Sequence, residues 1–253
     1  MTATVRALLR LLGKLPIRSA TVSARPIGLT CLLLLYPSIA RAQAGATVTV
    51  TTDERFRGRT VSRGDPAVVL NLSYDDPSGV YAGAAATTAI VESAPKVINV
   101  QANIGFIHRT TGGTGLELGV VQSNYSQYSS GGRSANYTEI YAGVLKRRLA
   151  FRVHYSPHYF QPGVQTVYLS VDGAVEPATN WHLTAHAGSL IRIAGPTTRG
   201  ASRVGYDWRI GAARSLGPVE LQLAMSDGGP SPERYNGTDH DRLAVTFSVV
   251  WSL

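Results

Sequence analysis

The sequence is poor in cysteine, in long apolar runs and, over its first 42 residues, in acidic side chains. Only Cys31 is a cysteine among the 253 residues, so no disulfide can form within one chain. The apolar runs are shorter than the roughly 20 residues that a membrane-spanning helix needs. A helical membrane anchor and a disulfide-stapled fold are both excluded, and the fold must depend on sheet hydrogen bonds and packing.

The first 42 residues have the order of a secretory signal. Six basic residues are spread over the segment: Arg6, Arg10, Lys14, Arg18, Arg25 and Arg41. An apolar run occupies residues 27–36, and the small-residue triplet Ala40-Arg41-Ala42 follows. This order predicts a signal peptide over residues 1–42, cleaved before Gln43, ahead of an outer-membrane β-barrel domain over residues 43–253. A lipoprotein signal at Cys31 is disfavoured because the apolar run continues past it.

Removal of the signal changes the charge of the chain. The whole sequence carries a formal net charge of +8, but six of its 24 Lys and Arg residues leave with the signal, so 18 remain against 16 acidic residues. A net charge of +2 gives no support for nucleic-acid binding, and we expect no nucleic-acid partner.

The rest of the chain reads as short alternating segments separated by Gly, Pro, Asn, Asp and Ser. Twelve strands are predicted, beginning near Ala46, Ala67, Val80, Val97, Gly115, Asn136, Leu149, Val164, Trp181, Val204, Pro218 and Arg242. In the last segment, one face holds Leu243, Val245, Phe247, Val249, Trp251 and Leu253. In the fourth, one face holds Ile98, Val100, Ala102, Ile104 and Phe106. Strands with one wholly apolar face suit either a soluble sandwich or a membrane barrel.

The connections favour the barrel. Long ones, over residues 54–65, 88–96, 123–134, 157–163, 195–203 and 227–241, alternate with short ones. Outer-membrane barrels have this alternation, whereas a sandwich has no reason to place its long loops at one end. Tyr74, Trp181 and Trp251 lie at strand ends beside the short turns, where an aromatic girdle is expected. We predict an all-β, transmembrane, antiparallel up-and-down β-barrel of about 12 strands.

The opposite face of these strands is polar but carries few charges, which is typical of an enclosed, hydrated lumen. The predicted pore-lining residues are Asn99, Gln101, Asn103, Glu117, Glu139, Arg152, His154, Asp172, His186, Asp207, Arg209 and Glu220. Charges of opposite sign can pair there. Large side chains such as Tyr137, Tyr141, His182 and Arg209 could instead close the lumen.

Two stretches resemble a known family. The first holds Asp53-Glu54-Arg55-Phe56-Arg57-Gly58, Asp65-Pro66-Ala67 and Ser78-Gly79-Val80-Tyr81-Ala82-Gly83. The second runs from Asn136-Tyr137-Thr138-Glu139-Ile140-Tyr141-Ala142-Gly143 into His154-Tyr155-Ser156-Pro157-His158-Tyr159-Phe160. They are similar to the TorF family of porin-like proteins from Gram-negative outer membranes. The resemblance implies an outer-membrane barrel with channel activity, and it implies no particular substrate.

The first long connection is rich in charge. Four arginines lie there with three acidic residues: Arg55, Arg57, Arg59, Arg63, Asp53, Glu54 and Asp65. The cluster could fold inward and narrow the pore, bind lipopolysaccharide phosphates, or form a surface charge network.

Other chemistry is weakly indicated. The six histidines lack zinc-site spacing, and a hydrolase triad would need His154 and Ser156 at the lipid face, although both fall on the lumen face. The acidic residues of the last long loop could hold a hard cation, but a solvated loop explains them as well. Residues 112–115 read as a hairpin turn and not as a phosphate loop. We predict no catalytic residue, metal or cofactor.

The predicted function is a porin-like channel for passive diffusion of small hydrophilic solutes or ions. The alternatives are a plugged structural or adhesive barrel that acts through its outer loops and, third, an outer-membrane hydrolase. The expected location is the outer membrane of a Gram-negative bacterium, with both termini periplasmic. The expected partners are outer-membrane lipid, lipopolysaccharide, the solutes, and the barrel-assembly machinery through the C-terminal strand.

Overall fold

A computed structural model describes residues 43–126, 135–196, 202–229 and 243–253 of the chain. These belong to one compact unit, Ala40–Leu253, and the predicted signal peptide lies outside them. The strands are β1 Gln43–Thr51, β2 Arg55–Phe56, β3 Arg59–Thr60, β4 Ala67–Asp75, β5 Val80–Val91, β6 Ala94–Arg109, β7 Thr114–Tyr125, β8 Ala135–Lys146, β9 Leu149–Ser156, β10 Gln165–Ala178, β11 Trp181–Ala194, β12 Val204–Leu216, β13 Val219–Gly228 and β14 Ala244–Ser252. No described stretch is an apolar helix of membrane-crossing length.

Twelve of these strands close into one antiparallel barrel. Strands β4 to β14 pair in chain order, and β1 closes the ring between β14 and β4. The closing registers run from Thr47↔Ser252 to Thr51↔Ser248 on one side and from Gln43↔Asp75 to Thr51↔Ala67 on the other. The predicted twelve-stranded up-and-down barrel is confirmed. The remaining two strands, β2 and β3, pair only with each other.

The outside of the barrel is apolar. In β14, Val245 is 64% exposed and Phe247 43% exposed, whereas the alternate residues Thr246 and Ser248 are buried. The same outward exposure recurs around the ring at Leu72, Ile104, Leu118, Ile140, Phe151, Leu183, Ile210 and Leu223. Soluble proteins rarely expose so large an apolar surface, whereas a barrel in a bilayer needs one. This exterior is that of a transmembrane barrel.

The connections divide the barrel into two ends. One end, called here the short-turn end, holds both ends of the described chain and the turns at 76–79, 110–113, 147–148, 179–180 and 217–218. The other, the long-loop end, holds the described parts of the longer connections, at 52–66, 126, 157–164, 195–196, 202–203, 229 and 243. Tyr74, Trp181 and Trp251 are exposed at the short-turn end, as predicted.

One connection at the long-loop end is shorter than predicted. The loop expected over residues 88–96 is a two-residue turn, Glu92 and Ser93, between β5 and β6. Both residues have positive φ, 48° and 67°, as a tight turn that follows the twist of the two strands requires. The polar character of this segment misled the prediction, because its outer residues continue the strand ladder to Val91↔Ala94.

The predicted face of β6 is wrong at one residue. Ile98 was expected on the outer face with Val100 and Ile104, but it is completely buried, while Val97 beside it is 55% exposed. The register with β5 slips between Thr87 and Thr88. A β-bulge inserts one extra residue, so the alternation changes phase there and Ile98 turns inward.

Candidate functional site

The connection between β1 and β4 folds into the barrel. Its hairpin, β2–β3, packs against side chains that point inward from the wall, and the Phe56 ring lies 6.0 Å from that of Tyr125. The buried cluster beneath it comprises Val61, Ala89, Ile98, Tyr125, Tyr137, Tyr159, Tyr168 and Leu190. Of the three possibilities for the arginine-rich connection, inward folding is therefore confirmed.

Asp53 holds the base of this hairpin together. Its carboxylate pairs with Arg55 at 3.1 Å and accepts hydrogen bonds from the hydroxyl groups of Thr60 and Ser62. At the tip, Gly58 has a φ of +74°, and a Cβ there would lie 2.6 Å from the carbonyl oxygen of Asp227. Only glycine fits this position, since both the backbone conformation and the space exclude a side chain.

Arg57 attaches the hairpin to the barrel wall. Its Nη2 atom lies 2.9 Å from both carboxylate oxygens of Glu139, and its Nη1 atom donates to the Tyr159 hydroxyl at 2.9 Å. The guanidinium carbon lies 3.8 Å from the centroid of the Tyr168 ring. Burial lowers the pKa of Arg57, but the combined interactions with Glu139, Tyr159, Tyr137 and Tyr168 outweigh it, and the pKa is raised. The hairpin is therefore held by a permanent charge in a pocket built for it.

A chain of hydrogen-bonded and ion-paired side chains extends along the barrel wall from this pocket. Glu117 accepts hydrogen bonds from the Tyr81 hydroxyl at 2.6 Å and from Arg152 Nε at 2.7 Å. The same arginine lies 3.7 Å from Asp172. These contacts join β5, β7, β9 and β10, which lie within the continuous run of strands from β5 to β10 on one side of the barrel.

His186 continues the chain to β12. Its Nδ1 atom lies 2.7 Å from Asp172 and its Nε2 atom 2.9 Å from Asp207, which also accepts a hydrogen bond from the Tyr168 hydroxyl at 3.0 Å. Both ring nitrogens face carboxylate oxygens, an arrangement that an imidazolium satisfies because both of its nitrogens donate. We call the inward face of β5–β12, with this chain and the Arg57 pocket, the charged wall.

Three glycines make room for the tyrosines of the charged wall. A Cβ on Gly105 would lie 2.4 Å from the Tyr81 ring, and a Cβ on Gly188 would lie 2.1 Å from the Tyr168 hydroxyl. A Cβ on Gly119 would meet Tyr141 at 2.5 Å. The rings lie flat against glycine on neighbouring strands, which keeps these large side chains on the wall and out of the middle of the lumen.

Apart from Glu220 of β13 at the short-turn end, the opposite side of the lumen carries mainly neutral side chains. They are Thr47, Thr49, Thr51, Asn71, Gln222, Ser226, Thr246 and Ser248, from β1, β4, β13 and β14. The hairpin leans on the charged wall. This second surface, called here the neutral wall, lines a cavity of about 510 Å³ beside the hairpin. We call that cavity the loop-side cavity.

A second cavity of about 660 Å³ opens toward the short-turn end, where Arg147, Arg148, Glu176 and His182 are among its lining residues. We call it the turn-side cavity. Asp172, His186 and Arg209 line both cavities. These three side chains form the neck between them.

The structure brings most of the predicted pore-lining residues into contact. Glu117, Arg152, Asp172, His186 and Asp207 form one chain, and Glu139 and His154 meet at 3.7 Å beside the Arg57 pocket. Five residues lie apart from these contacts: Asn99, Gln101, Asn103, Arg209 and Glu220. Gln101 donates to Ser123, and Glu220 accepts from Ser215 and Gln222 at the short-turn end.

Sequence reasoning missed Tyr81, Tyr159 and Tyr168. Tyr81 was within reach, because it lies directly opposite Gly105 in the β5–β6 register. The others depend on where the hairpin and the connection after β9 fold, which no spacing reveals. Within the described ranges, no group of three His, Cys, Asp or Glu side chains is arranged to hold a metal ion.

Comparison with known proteins agrees with this architecture. A family model described as "Bacterial protein of unknown function (Gcw_chp)" matches residues 40–251, and no curated protein matches the sequence. A solved KdgM porin is 8% identical over 82% of this chain and 97% of its own, with a TM-score of 0.51. A NanC porin is 10% identical over 81% and 97%, with a TM-score of 0.55. At these identities the similarity is one of fold.

Proposed function

The chain belongs to this bacterial family, and from that premise and the porin-like fold we propose that it is an outer-membrane channel. It would let small hydrophilic solutes or ions diffuse passively. The observation that carries the proposal is the pair of polar cavities that share the neck residues Asp172, His186 and Arg209. Nothing in this function requires a reaction, so we propose a channel and not an enzyme.

The proposed path runs along the neutral wall. Asn71 and Gln222 line the loop-side cavity and are half-buried, so their amide groups are accessible from it. Neutral hydroxyl and amide groups can replace the water around a passing solute without holding it tightly. The predicted pore-lining residues of the charged wall would act mainly through the neck, since most of them are bonded to one another.

The proposed location of the protein and its contact with membrane lipid follow from the apolar exterior of the barrel. We propose that the apolar band lies in the outer membrane of a Gram-negative bacterium, with both termini and the short-turn end periplasmic. The exposed aromatic residues Tyr74, Trp181 and Trp251 would then mark one lipid–water boundary. Contact with lipopolysaccharide, recognition of β14 by the barrel-assembly machinery and membership of the TorF family remain predictions from the sequence.

One observation favours the plugged barrel as the second candidate. The hairpin is tied to the wall by the buried Arg57–Glu139 pair, whose side chains are 10% and 4% exposed. A hairpin fixed in this way could close the lumen permanently. In that case the exposed surface of the long-loop end would carry the function.

Single-channel conductance distinguishes an open channel from a plugged barrel. The full-length gene would be expressed so that the protein is exported, purified from outer membranes and inserted into planar lipid bilayers. We expect discrete conductance steps. The variants Asn71→Trp and Gln222→Trp should each reduce the step size, because an indole would occupy part of the loop-side cavity along the proposed path.

The matched control is Leu70→Trp, which places the same side chain on the same strand but on the lipid-facing side. Its conductance should equal that of the parent protein. Correctly inserted protein that never conducts would refute the channel, and a step size unchanged in both neutral-wall variants would refute the path.

A further inference from the structure

Arg209 differs from the other charged side chains of the loop-side cavity. It is exposed to the lumen at the neck, opposite Ser226 and His186 in the strand registers. Among the described residues it forms no hydrogen bond or ion pair. An arginine inside a barrel normally has a carboxylate partner, so an uncommitted guanidinium where two cavities meet is available to a passing molecule.

Three acidic side chains of the loop-side cavity are already paired. Asp172 and Asp207 both bond to His186, at 2.7 and 2.9 Å, and Asp53 bonds to Arg55 at 3.1 Å. Arg209 is therefore the cation whose charge is least compensated by hydrogen-bonded partners in the described part of this cavity.

Glu54 is the second ionisable side chain of the loop-side cavity without a side-chain bond to a described residue. It lies between β1 and β2, outside the spanning strands, and its backbone is fixed by a hydrogen bond from its amide to Ser62 at 2.9 Å. Desolvation raises the pKa of its carboxyl to about 7, although the charge of Arg209 opposes this rise. The charged groups that share the cavity with it are Asp53, Arg55, Arg57, Asp172, His186, Asp207 and Arg209.

We propose that Arg209 determines the specificity of the channel by favouring small anionic solutes such as carboxylates. The ionisation of Glu54 then regulates the strength of this preference. This rests on the proposed channel function. An anion at the neck would accept hydrogen bonds from the planar guanidinium, as carboxylates do. When Glu54 is neutral, the positive charge of Arg209 acts on the solute without an opposing charge from Glu54. When Glu54 is ionised, its carboxylate offsets that charge.

The ionisation of Glu54 determines how the preference for anions changes with pH. Below pH 7 the Glu54 carboxyl is mostly protonated, so the preference for anions is greatest. As the pH rises through 7, the carboxylate forms and the preference falls. The chain of side chains beside the neck holds three carboxylates, Glu117, Asp172 and Asp207, against two basic groups, Arg152 and His186. The negative charge left over is the same in both states of Glu54, so it lowers the anion preference at both pH values and does not reverse this order.

The test measures reversal potentials across bilayers under gradients of potassium chloride and of sodium acetate, at pH 6 and pH 8. We expect anion preference in the parent protein, greater at pH 6. Arg209→Gln should lower the anion-to-cation permeability ratio about fivefold at pH 6, as expected for one uncompensated unit charge in a hydrated lumen. Arg209→Lys should retain most of the preference. Glu54→Gln should abolish the difference between the two pH values.

The control is Arg214→Gln, on the same strand but on the outer face, where the guanidinium lies 5.5 Å from the Trp181 ring. It should leave selectivity unchanged. A parent channel that conducts with a permeability ratio insensitive to Arg209→Gln would overturn the inference and leave the channel intact. Absence of conductance in correctly inserted parent protein would refute both.

Discussion

The two walls of the lumen differ in how their polar groups are used. On the charged wall the contacts are short and involve ions, such as the 2.7 Å bond from Arg152 to Glu117. On the neutral wall a comparable cross-strand contact, from Asn71 to Thr47, measures 3.4 Å. Charged hydrogen bonds are roughly twice as strong as neutral ones, so the charged wall holds its neighbours firmly and the neutral wall does not.

This difference explains where the hairpin lies. Its arginine needs a carboxylate and aromatic faces, and only the charged wall offers them, through Glu139, Tyr159 and Tyr168. The neutral wall has nothing that would bind a guanidinium with similar strength. The hairpin is therefore anchored on the charged side, although its tip also approaches Asp227 and Gly228 of β13. The space that it leaves is lined by groups suited to brief contact with hydrated solutes.

The variant with the largest expected effect removes the attachment of the hairpin to the charged wall. Arg57→Ala leaves the Glu139 carboxylate buried without its partner, and breaking such a pair typically destabilises a protein by about 3–5 kcal/mol. We also expect larger conductance steps, because the freed hairpin no longer narrows the lumen. Unfolding in urea, followed by tryptophan fluorescence in lipid vesicles, measures the first effect and planar bilayers the second.

The double variant Arg57→Met with Glu139→Leu is its matched control. It removes both charges, so the loss of stability should be much smaller than in Arg57→Ala. If the double variant were destabilised as much as the single one, the pair would not be the element that fixes the hairpin. The difference between the walls would then need another cause.

A smaller effect is expected from the glycines beneath the tyrosines. Gly188→Ala places a methyl group 2.1 Å from the Tyr168 hydroxyl, so the ring that packs on Arg57 must move. Overpacking of this kind typically destabilises by about 1–3 kcal/mol. On the neutral wall, Gly45→Ala meets only the Ser73 hydroxyl at 3.0 Å and should change the unfolding midpoint little. Equal shifts for the two variants would contradict a tightly built charged wall.

The sequence alone predicted the barrel well, for a physical reason. Alternation between apolar and polar residues is a local pattern, and turns such as that at Gly217 end a strand wherever they occur. The two errors both arise at the β5–β6 turn. A tight turn and a bulge there shift the phase of Ile98, and a shift of one residue leaves the composition of a segment unchanged.

The candidate site was only partly predictable. The alternation of side chains between the two faces of a strand was enough to place Glu117, Asp172 and Asp207 on the inner face. It could not show that the charges pair along one wall, because the partner of Glu139 is Arg57, on a loop 82 residues away. Contacts between a loop and a distant strand depend on the folded path of the chain, so the asymmetry of the lumen emerges only from the structure.

The smallest expected effect is on the neutral wall itself. Ser248 donates a hydrogen bond to the Thr51 hydroxyl at 3.0 Å, and Thr51 in turn donates to the Asp53 carbonyl oxygen at 3.1 Å. Ser248→Ala removes one neutral bond and leaves the contact with Asp53 in place, so we expect a loss of about 1 kcal/mol in the free energy of unfolding. Conductance should be unchanged, because the hairpin keeps its attachment to the charged wall. A change in step size as large as that of Arg57→Ala would mean that the neutral wall also positions the hairpin through Thr51, and the division between a holding wall and a conducting wall would be wrong.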